Sequence, residues 1–245
     1  MYENWEKRIM KKNKKYRYRL LFLLKTCSII RIICSRMNKP AEKNNLIYKI
    51  FNLPIIYNLY QFIIFRSNSK VNIFSNYMVV EENDFVLDIG CGPGNYRQLI
   101  KSKNYFGIDI NCESIKKAEK LFPNDSFACL PVQELSNKFD KKFDKVILFG
   151  LLHHLSDTDV VKLFQDLREV VTPDTKIFCL DTSFSRNQNL FSKIMARLDK
   201  GNFVRFPDEL EKLFDTKFYN IDIKMFDNLL RVPCYHSFVK LSLNQ

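Results

Sequence analysis

Residues 86–94 read VLDIGCGPG, and three of the chain's six glycines, Gly90, Gly92 and Gly94, fall inside that stretch. The run FVLDI at 85–89 leads into it. A short, mostly apolar run of this kind is what a strand buried on both faces of a parallel sheet requires. The glycines that follow let the backbone turn sharply and let a ligand approach closely, because no Cβ intervenes. The next apolar run, YFGIDI at 105–110, carries Asp109, 19 residues after Gly90. A carboxylate at that place accepts hydrogen bonds from both hydroxyls of a ribose. A tight strand-to-helix turn without a ligand accounts for one glycine. It does not account for three with an acid in register, so the stretch reads as a nucleoside-binding turn.

Working outward, strands are expected at 85–89, 105–110, 126–130, 144–149 and 176–181, separated by helices at 95–102, 112–122 and 157–171. Asn111 is placed to cap the second helix, with Glu113 in its first turn and Ile115, Ala118 and Phe122 on one face. Ser156 and Asp159 form a capping box for the third, ahead of Val160, Phe164, Leu167 and Val171. A helix near 207–214 and strands near 217–226 and 229–241 complete the chain. This alternation predicts a doubly wound α/β domain over residues 81–245.

The 245 residues are enough for one such domain and an extension. Residues 40–80 read as a helical cap segment, with NLIYKIFNLPIIYNLYQFIIF broken at Pro54. Residues 1–39 form a basic amphipathic arm. They hold 12 Lys and Arg against Glu3 and Glu6, whereas the other 206 residues carry a net charge of only +2. A nearly neutral body argues against a main domain that wraps nucleic acid. The best apolar run, Leu20 to Cys34, is 15 residues long and interrupted by Lys25 and Arg31. That is short of a spanning helix and charged for a signal peptide, so a cytoplasmic protein is expected. Seven cysteines, without a C-x-x-C pair or clustered histidines, fit neither a disulfide framework nor a zinc site. Reduced, mostly buried thiols and no metal are the expectation.

Two cofactor classes compete for the glycine turn. A dinucleotide fingerprint is G-x-G-x-x-G, with a pyrophosphate on the helix N-terminus. Here the third glycine arrives one residue early, and Asp88 stands two residues before the first. A carboxylate there repels a pyrophosphate and suits a ligand with an α-amino group and a sulfonium. S-adenosylmethionine has both and lacks phosphate.

VLDIGCGPG, YFGIDIN, FDKVILFGLLHHLSD and LREVVTPDTKIFCLD resemble, in order and spacing, the successive motifs of class I S-adenosylmethionine-dependent methyltransferases over roughly residues 80–185. The tail GNFVRFPDELEKLF…LLRVPCYH is similar to small bacterial members of that family. The resemblance implies a Rossmann-like, seven-stranded sheet of order 3-2-1-4-5-7-6 with the last strand antiparallel, preceded here by an N-terminal helical extension. It also implies that Asp88 and Gly90, Cys91, Gly92 and Gly94 line the methionine part of the cofactor. Asp109 would then hold the ribose, Ile110 would pack on adenine, and the main chain near Phe149 would close the site. Pro131 stands where the family usually places an acid for the adenine amino group, so Val132 or Gln133 takes that contact here.

Methyl transfer from a sulfonium needs positioning above all, and a general base only when the acceptor must shed a proton early. His153 and His154, directly after the fourth strand, are the candidate catalytic residues, with packing of the loop as the plainer use of either. His236 reads as a core histidine. Asp181 ends the fifth strand at the same edge, where it either orients an acceptor hydroxyl or caps the next helix. Tyr48, Tyr57 and Tyr60 are candidates for an acceptor lid, with packing as their plainer use. The text FGLLHHL replaces the D/N-P-P-Y/F/W segment of adenine N-methylating enzymes, and Pro233-Cys234 is not placed as a cytosine nucleophile.

The expected activity is transfer of a methyl group to a small-molecule or lipid-linked acceptor, with oxygen favoured. A methyltransferase of RNA or protein and a non-catalytic cofactor-binding protein are the alternatives. For the arm, contact of residues 1–36 with an anionic membrane surface is favoured over RNA binding and over a solvated extension for which Met37 is an alternative start.

Overall fold

The computed structural model describes residues 76–134, 142–197, 201–227, 229–230 and 234–244. The arm expected over 1–39 and the cap segment up to residue 75, with its three tyrosines, lie outside the described residues.

The chain forms β1 (Phe85–Ile89), β2 (Asn104–Asp109), α1 (Cys112–Leu121), β3 (Ser126–Cys129), β4 (Phe143–Phe149), α2 (Asp157–Leu167), β5 (Val171–Ser183), α3 (Leu190–Arg197), α4 (Pro207–Glu211), β6 (Tyr219–Phe226) and β7 (Tyr235–Leu243). They build one seven-stranded sheet of order β3-β2-β1-β4-β5-β7-β6. Parallel pairing links β3 through β5, and β7 runs antiparallel to both β5 and β6. This is the order and hand of pairing that the motif resemblance implied. From β1 the chain first builds outward through β2 and β3, then returns to β4 on the other side of β1. Such a reversal opens a crevice beyond the carboxyl ends of β1 and β4.

Alternation along the strands sends successive side chains to opposite faces. Leu87, Ile108, Val146 and Leu148 meet Val160, Phe164 and Leu167 of α2 on one face. Val86, Tyr105, Ile147, Phe149, Phe178 and Phe238 form the core of the other, joined by Met78. Met78 and Tyr77, from the segment read as cap, thus pack on the sheet; the Tyr77 ring lies 5.2 Å from that of Phe226. Among the described residues, no helix is long and apolar enough to cross a membrane.

The Asn111 cap and the Ser156–Asp159 capping box are both present. Three expectations need correcting, and one helix was missed. The helix expected over 95–102 is a single 3-10 turn at Arg97–Leu99. Arg97 ends it by donating to the carbonyls of Ile100 and Ser102 while pairing with Asp125 and lying over the Tyr105 ring. The helix expected to 171 ends at Leu167, because Val171 already pairs with Phe143 and starts a 13-residue β5. The helix α3 was not read from the sequence at all. Finally, Cys112 and Cys129 are joined as a disulfide, whereas Cys91, Cys179 and Cys234 are the buried thiols expected.

One buried arginine fastens the loop after β4. Arg205 donates to the carbonyls of Leu152, Leu155 and Phe203 and to the carboxylate of Asp157. Its own carbonyl accepts from Ser183 Oγ and from the amide of Phe184 at the end of β5. Replacing it strands the buried carbonyl of Leu152, at a cost of about 1–3 kcal/mol, and the part-buried carbonyls of Leu155 and Phe203, which water partly satisfies. Arg205→Met is therefore expected to lower unfolding free energy by about 2–4 kcal/mol in urea titration. A loss under about 1 kcal/mol would show that the loop holds itself.

Candidate functional site

The glycine turn is built by left-handed backbone. Gly90, Gly92 and Gly94 have φ of 72°, 55° and 81°. The amides of Gly90 and Cys91 both donate to the carbonyl of Ile108, at 2.8 and 3.0 Å, which anchors the turn on β2. The two later glycines serve different ends. A Cβ on Gly94 would lie 2.6 Å from Phe122 Cε2, so that glycine lets the end of α1 pack against the turn. Among the described residues, a Cβ on Gly92 would meet only Asn95 Nδ2, at 3.9 Å. Gly92 thus leaves space that the described residues do not fill, and without a Cβ it lets a ligand approach the backbone closely.

Asp109 ties that turn to the end of β2. Its Oδ2 accepts from the Gly92 amide at 2.9 Å and its Oδ1 from the Asn111 amide at 2.8 Å. The carboxylate is half-buried at the strand end, where each oxygen keeps a further lone pair for a ribose hydroxyl. Ile110, next along the chain, is 79% exposed, an apolar side chain held in the open beside the turn. Across from it, after β3, Val132 and Gln133 sit in a 3-10 turn. Val132 packs against the core and Gln133 is exposed. The residues expected at the adenosine end are thus brought to one edge of the sheet.

Asp88 takes a different place from the open mouth of the turn. It is 2% exposed and accepts a hydrogen bond from the Tyr105 hydroxyl at 2.7 Å. Burial, partly offset by that bond and reinforced by the charge of Asp109, pushes its carboxyl up to about 7. Burial and the neighbouring Asp88 charge also push the Tyr105 hydroxyl far up, so it stays a donor. The Cys91 side chain is buried against Gly107, which leaves mainly its backbone for a ligand.

At the end of β4, Phe149 is buried and its ring stands edge-on to Tyr96 at 5.2 Å. Gly150 follows with φ of 69°. His153 lies in the 3-10 turn Leu152–His154, and its Cε1 is 3.9 Å from the Cβ position of Gly150. Its Nδ1 bonds Asp181 Oδ1, and Asp181 also accepts from the amides of Leu152 and His153, at 3.3 Å each. Asp181 therefore neither caps the next helix nor stands alone; it holds the His153 turn. Gly201 lies flush on the His153 ring, and the Phe203 amide donates to the His153 carbonyl at 2.9 Å. His154 is exposed, with its ring centroid 4.1 Å from that of His153. His236 is buried in β7, opposite Thr182 and Phe226.

Two of these residues, Arg205 and Tyr105, were not read from the sequence as parts of the site. An Arg in the tail carries no spacing signal linking it to the β4 loop. Tyr105 lay inside a strand pattern that marked it as core.

The raised Asp88 carboxyl carries a sign for stability. A carboxyl that holds its proton up to about 7 when folded, and to its ordinary value when unfolded, makes the folded state bind more protons between those limits. Stability from this group is full at acid pH and falls as pH rises through that window. Asp88→Asn keeps an acceptor for Tyr105 and has nothing to ionise. Urea unfolding at pH 5 and pH 8 should show a smaller loss of stability in the variant than in the parent. Equal losses would mean that Asp88 ionises freely in the folded protein.

Residues 86–174 match the family model described as a methyltransferase domain. Protein 235L of Invertebrate iridescent virus 6, which carries a methyltransferase name, is 26% identical over 151 residues, 59% of this chain and 56% of that protein. A tRNA U34 carboxymethyltransferase of Nautilia profundicola is 28% identical over 159 residues, 61% of this chain and 51% of its own length. The chain thus spans about half the length of these curated relatives. The plantazolicin methyltransferase BamL, solved with S-adenosylhomocysteine, shares the fold with a TM-score of 0.54 and 14% identity, covering 78% of this chain and 92% of that one. Residues 86–174 are thus similar to a methyltransferase domain, set in the sheet order, and carrying the glycine turn and Asp109 in register, that the motif resemblance to class I S-adenosylmethionine-dependent methyltransferases implied.

Proposed function

We propose that this protein binds S-adenosylmethionine at the carboxyl edge of β1, β2 and β4 and transfers its methyl group to a small-molecule acceptor, with a hydroxyl oxygen favoured. The observation that carries the cofactor's place is the open space over Gly92 beside Asp109 and the exposed Ile110. When bound, the cofactor supplies a methyl group already activated by its sulfonium. The chain's own work is to hold and orient. Asp109 takes the ribose hydroxyls, Ile110 and Val132 flank the adenine, Gln133 or the Val132 backbone meets its amino group, and the backbone from Gly90 to Gly94 with Phe149 lines the rest. Asp88, half protonated near neutral pH and beneath the turn, gains charge when a cationic amino group comes near.

Oxygen is favoured because His153 and His154 are basic groups at this edge, and Asp181 fixes the orientation of His153. Such a pair accepts a proton from an acceptor hydroxyl, a contribution typically worth about 10²–10⁴-fold in rate. A lipid-linked acceptor stays within the proposal, because the basic arm offers a way to an anionic membrane surface. Sedimentation with anionic liposomes, compared between the full chain and one lacking residues 1–36, reads that directly.

Calorimetric titration should give binding of S-adenosylmethionine and S-adenosylhomocysteine and none of NAD. Asp109→Ala should weaken both adenosyl ligands by about tenfold or more, since hydrogen bonds to a charged acceptor are worth roughly 1.5–3 kcal/mol. Unchanged affinity in a folded variant would move Asp109 off the ribose. Labelled methyl transfer into a panel of hydroxyl and amine acceptors then identifies the substrate. With a hydroxyl acceptor, His153→Gln should lose about 10²–10⁴-fold in turnover while keeping cofactor affinity. Turnover preserved in that variant would leave His153 as a packing residue.

A further inference from the structure

The disulfide between Cys112 and Cys129 joins the two segments that form the adenosine end of the site. Cys112 is the first residue of α1, directly after Asn111. Asn111 caps that helix, and its amide donates to Asp109, whose other oxygen holds the Gly92 amide. Cys129 is the last residue of β3, three before Val132, and its Sγ lies 3.7 Å from the Ile110 carbonyl oxygen. One covalent bond thus spans from the Ile110 side of the adenine slot to the Val132–Gln133 side.

Both cysteines are exposed, whereas the other described cysteines, Cys91, Cys179 and Cys234, are buried. The backbone does not need the bond to place β3, because Asp109 and Cys129 are already partners in the parallel ladder of β2 and β3. What the bond adds is a tether on Ile110–Cys112, which lies beyond the end of β2. Exposed disulfides are the ones that exchange readily with solution thiols, whereas buried structural bonds resist.

We propose that Cys112 and Cys129 form a thiol–disulfide exchange site whose oxidation state sets how tightly the adenosine end of the cofactor is held, the disulfide being the tight state. The proposal rests on the S-adenosylmethionine reading given above. The chemistry is a two-electron exchange with a small thiol. A thiolate attacks one sulfur of the pair, a mixed disulfide forms and the other cysteine leaves as thiolate and takes up a proton. A second small thiol then displaces the first cysteine, giving two protein thiols and one small-molecule disulfide. The reverse reaction uses a small-molecule disulfide as oxidant. Reduction leaves the Ile110–Cys112 segment held by hydrogen bonds alone, through the Asn111 amide and the helix cap, and the added motion must be quenched each time the ligand binds. Ordering costs of that kind weaken binding by about three- to tenfold.

The test uses the full chain, treated either with glutathione disulfide or with dithiothreitol, and titrated calorimetrically with S-adenosylhomocysteine. Mass spectrometry of proteolytic fragments reports the Cys112–Cys129 cross-link in each sample. The expected result is a cross-link in the oxidised sample only and an affinity about three- to tenfold weaker in the reduced one. The double variant Cys112→Ser, Cys129→Ser should match the reduced protein and ignore the oxidant. Equal affinities in the two states, tighter binding on reduction, no cross-link under glutathione disulfide, or a redox response that persists in the double variant would each overturn the proposal. Absence of binding in both states would fell the cofactor reading itself, and the proposal with it. Equal binding in both fells the exchange site alone.

Discussion

The carboxylate of Asp109 is the point on which the site turns. It reaches from the end of β2 to the Gly92 amide and to the Asn111 amide that starts α1. In this way it joins the glycine turn after β1 to the helix after β2, two connections that the sheet alone leaves independent. A charged acceptor between two backbone amides makes bonds roughly twice as strong as neutral ones. The rest of the edge follows from that anchoring. Ile110 is held out in solvent because its neighbours on both sides are tied down. The space that the described residues leave over Gly92 is framed by a turn fastened from below, through Ile108, and from the side, through Asp109.

A second constraint is the burial of charge beneath the turn. Asp88 has one hydrogen-bond donor in Tyr105 and a like charge nearby in Asp109. Desolvation outweighs that single bond, and the carboxyl sits on the boundary between its two forms at neutral pH. Such a group responds strongly to a cation placed beside it. A fully charged Asp88 at the mouth of the turn would repel a pyrophosphate outright. The structure replaces that picture with a buried, titrating group below it, which still disfavours an anion but answers to a cation by losing its proton.

Much of this was legible in the residues. FVLDI, VLDIGCGPG and Asp109 carry local signals, and local signals survive folding: apolar runs become buried strands, and a run of glycines becomes a left-handed turn. The Asn111 cap and the Ser156–Asp159 box are equally local. The helix over 95–102 misled because its apolar spacing is real, yet Arg97 spends its donors on nearby carbonyls and closes the segment after one turn. Arg205 was invisible for a different reason. Its partners at 152, 155 and 157 lie about 50 residues away, and no sequence pattern records a contact that only the tertiary fold creates. The cysteine count misled in the same way. Cys112 and Cys129 are 17 residues apart, and it is the pairing of β2 with β3 that brings them together.

Hydrogen exchange of the full chain with and without S-adenosylhomocysteine tests the central claim most directly, because it reads where the ligand sits without presupposing an acceptor. Added protection is expected at residues 90–94, 109–113 and 130–134 and at the end of β4, with the β6–β7 edge unchanged. Binding accompanied by protection elsewhere, with the glycine turn and the Asp109–Asn111 segment unaffected, would contradict it.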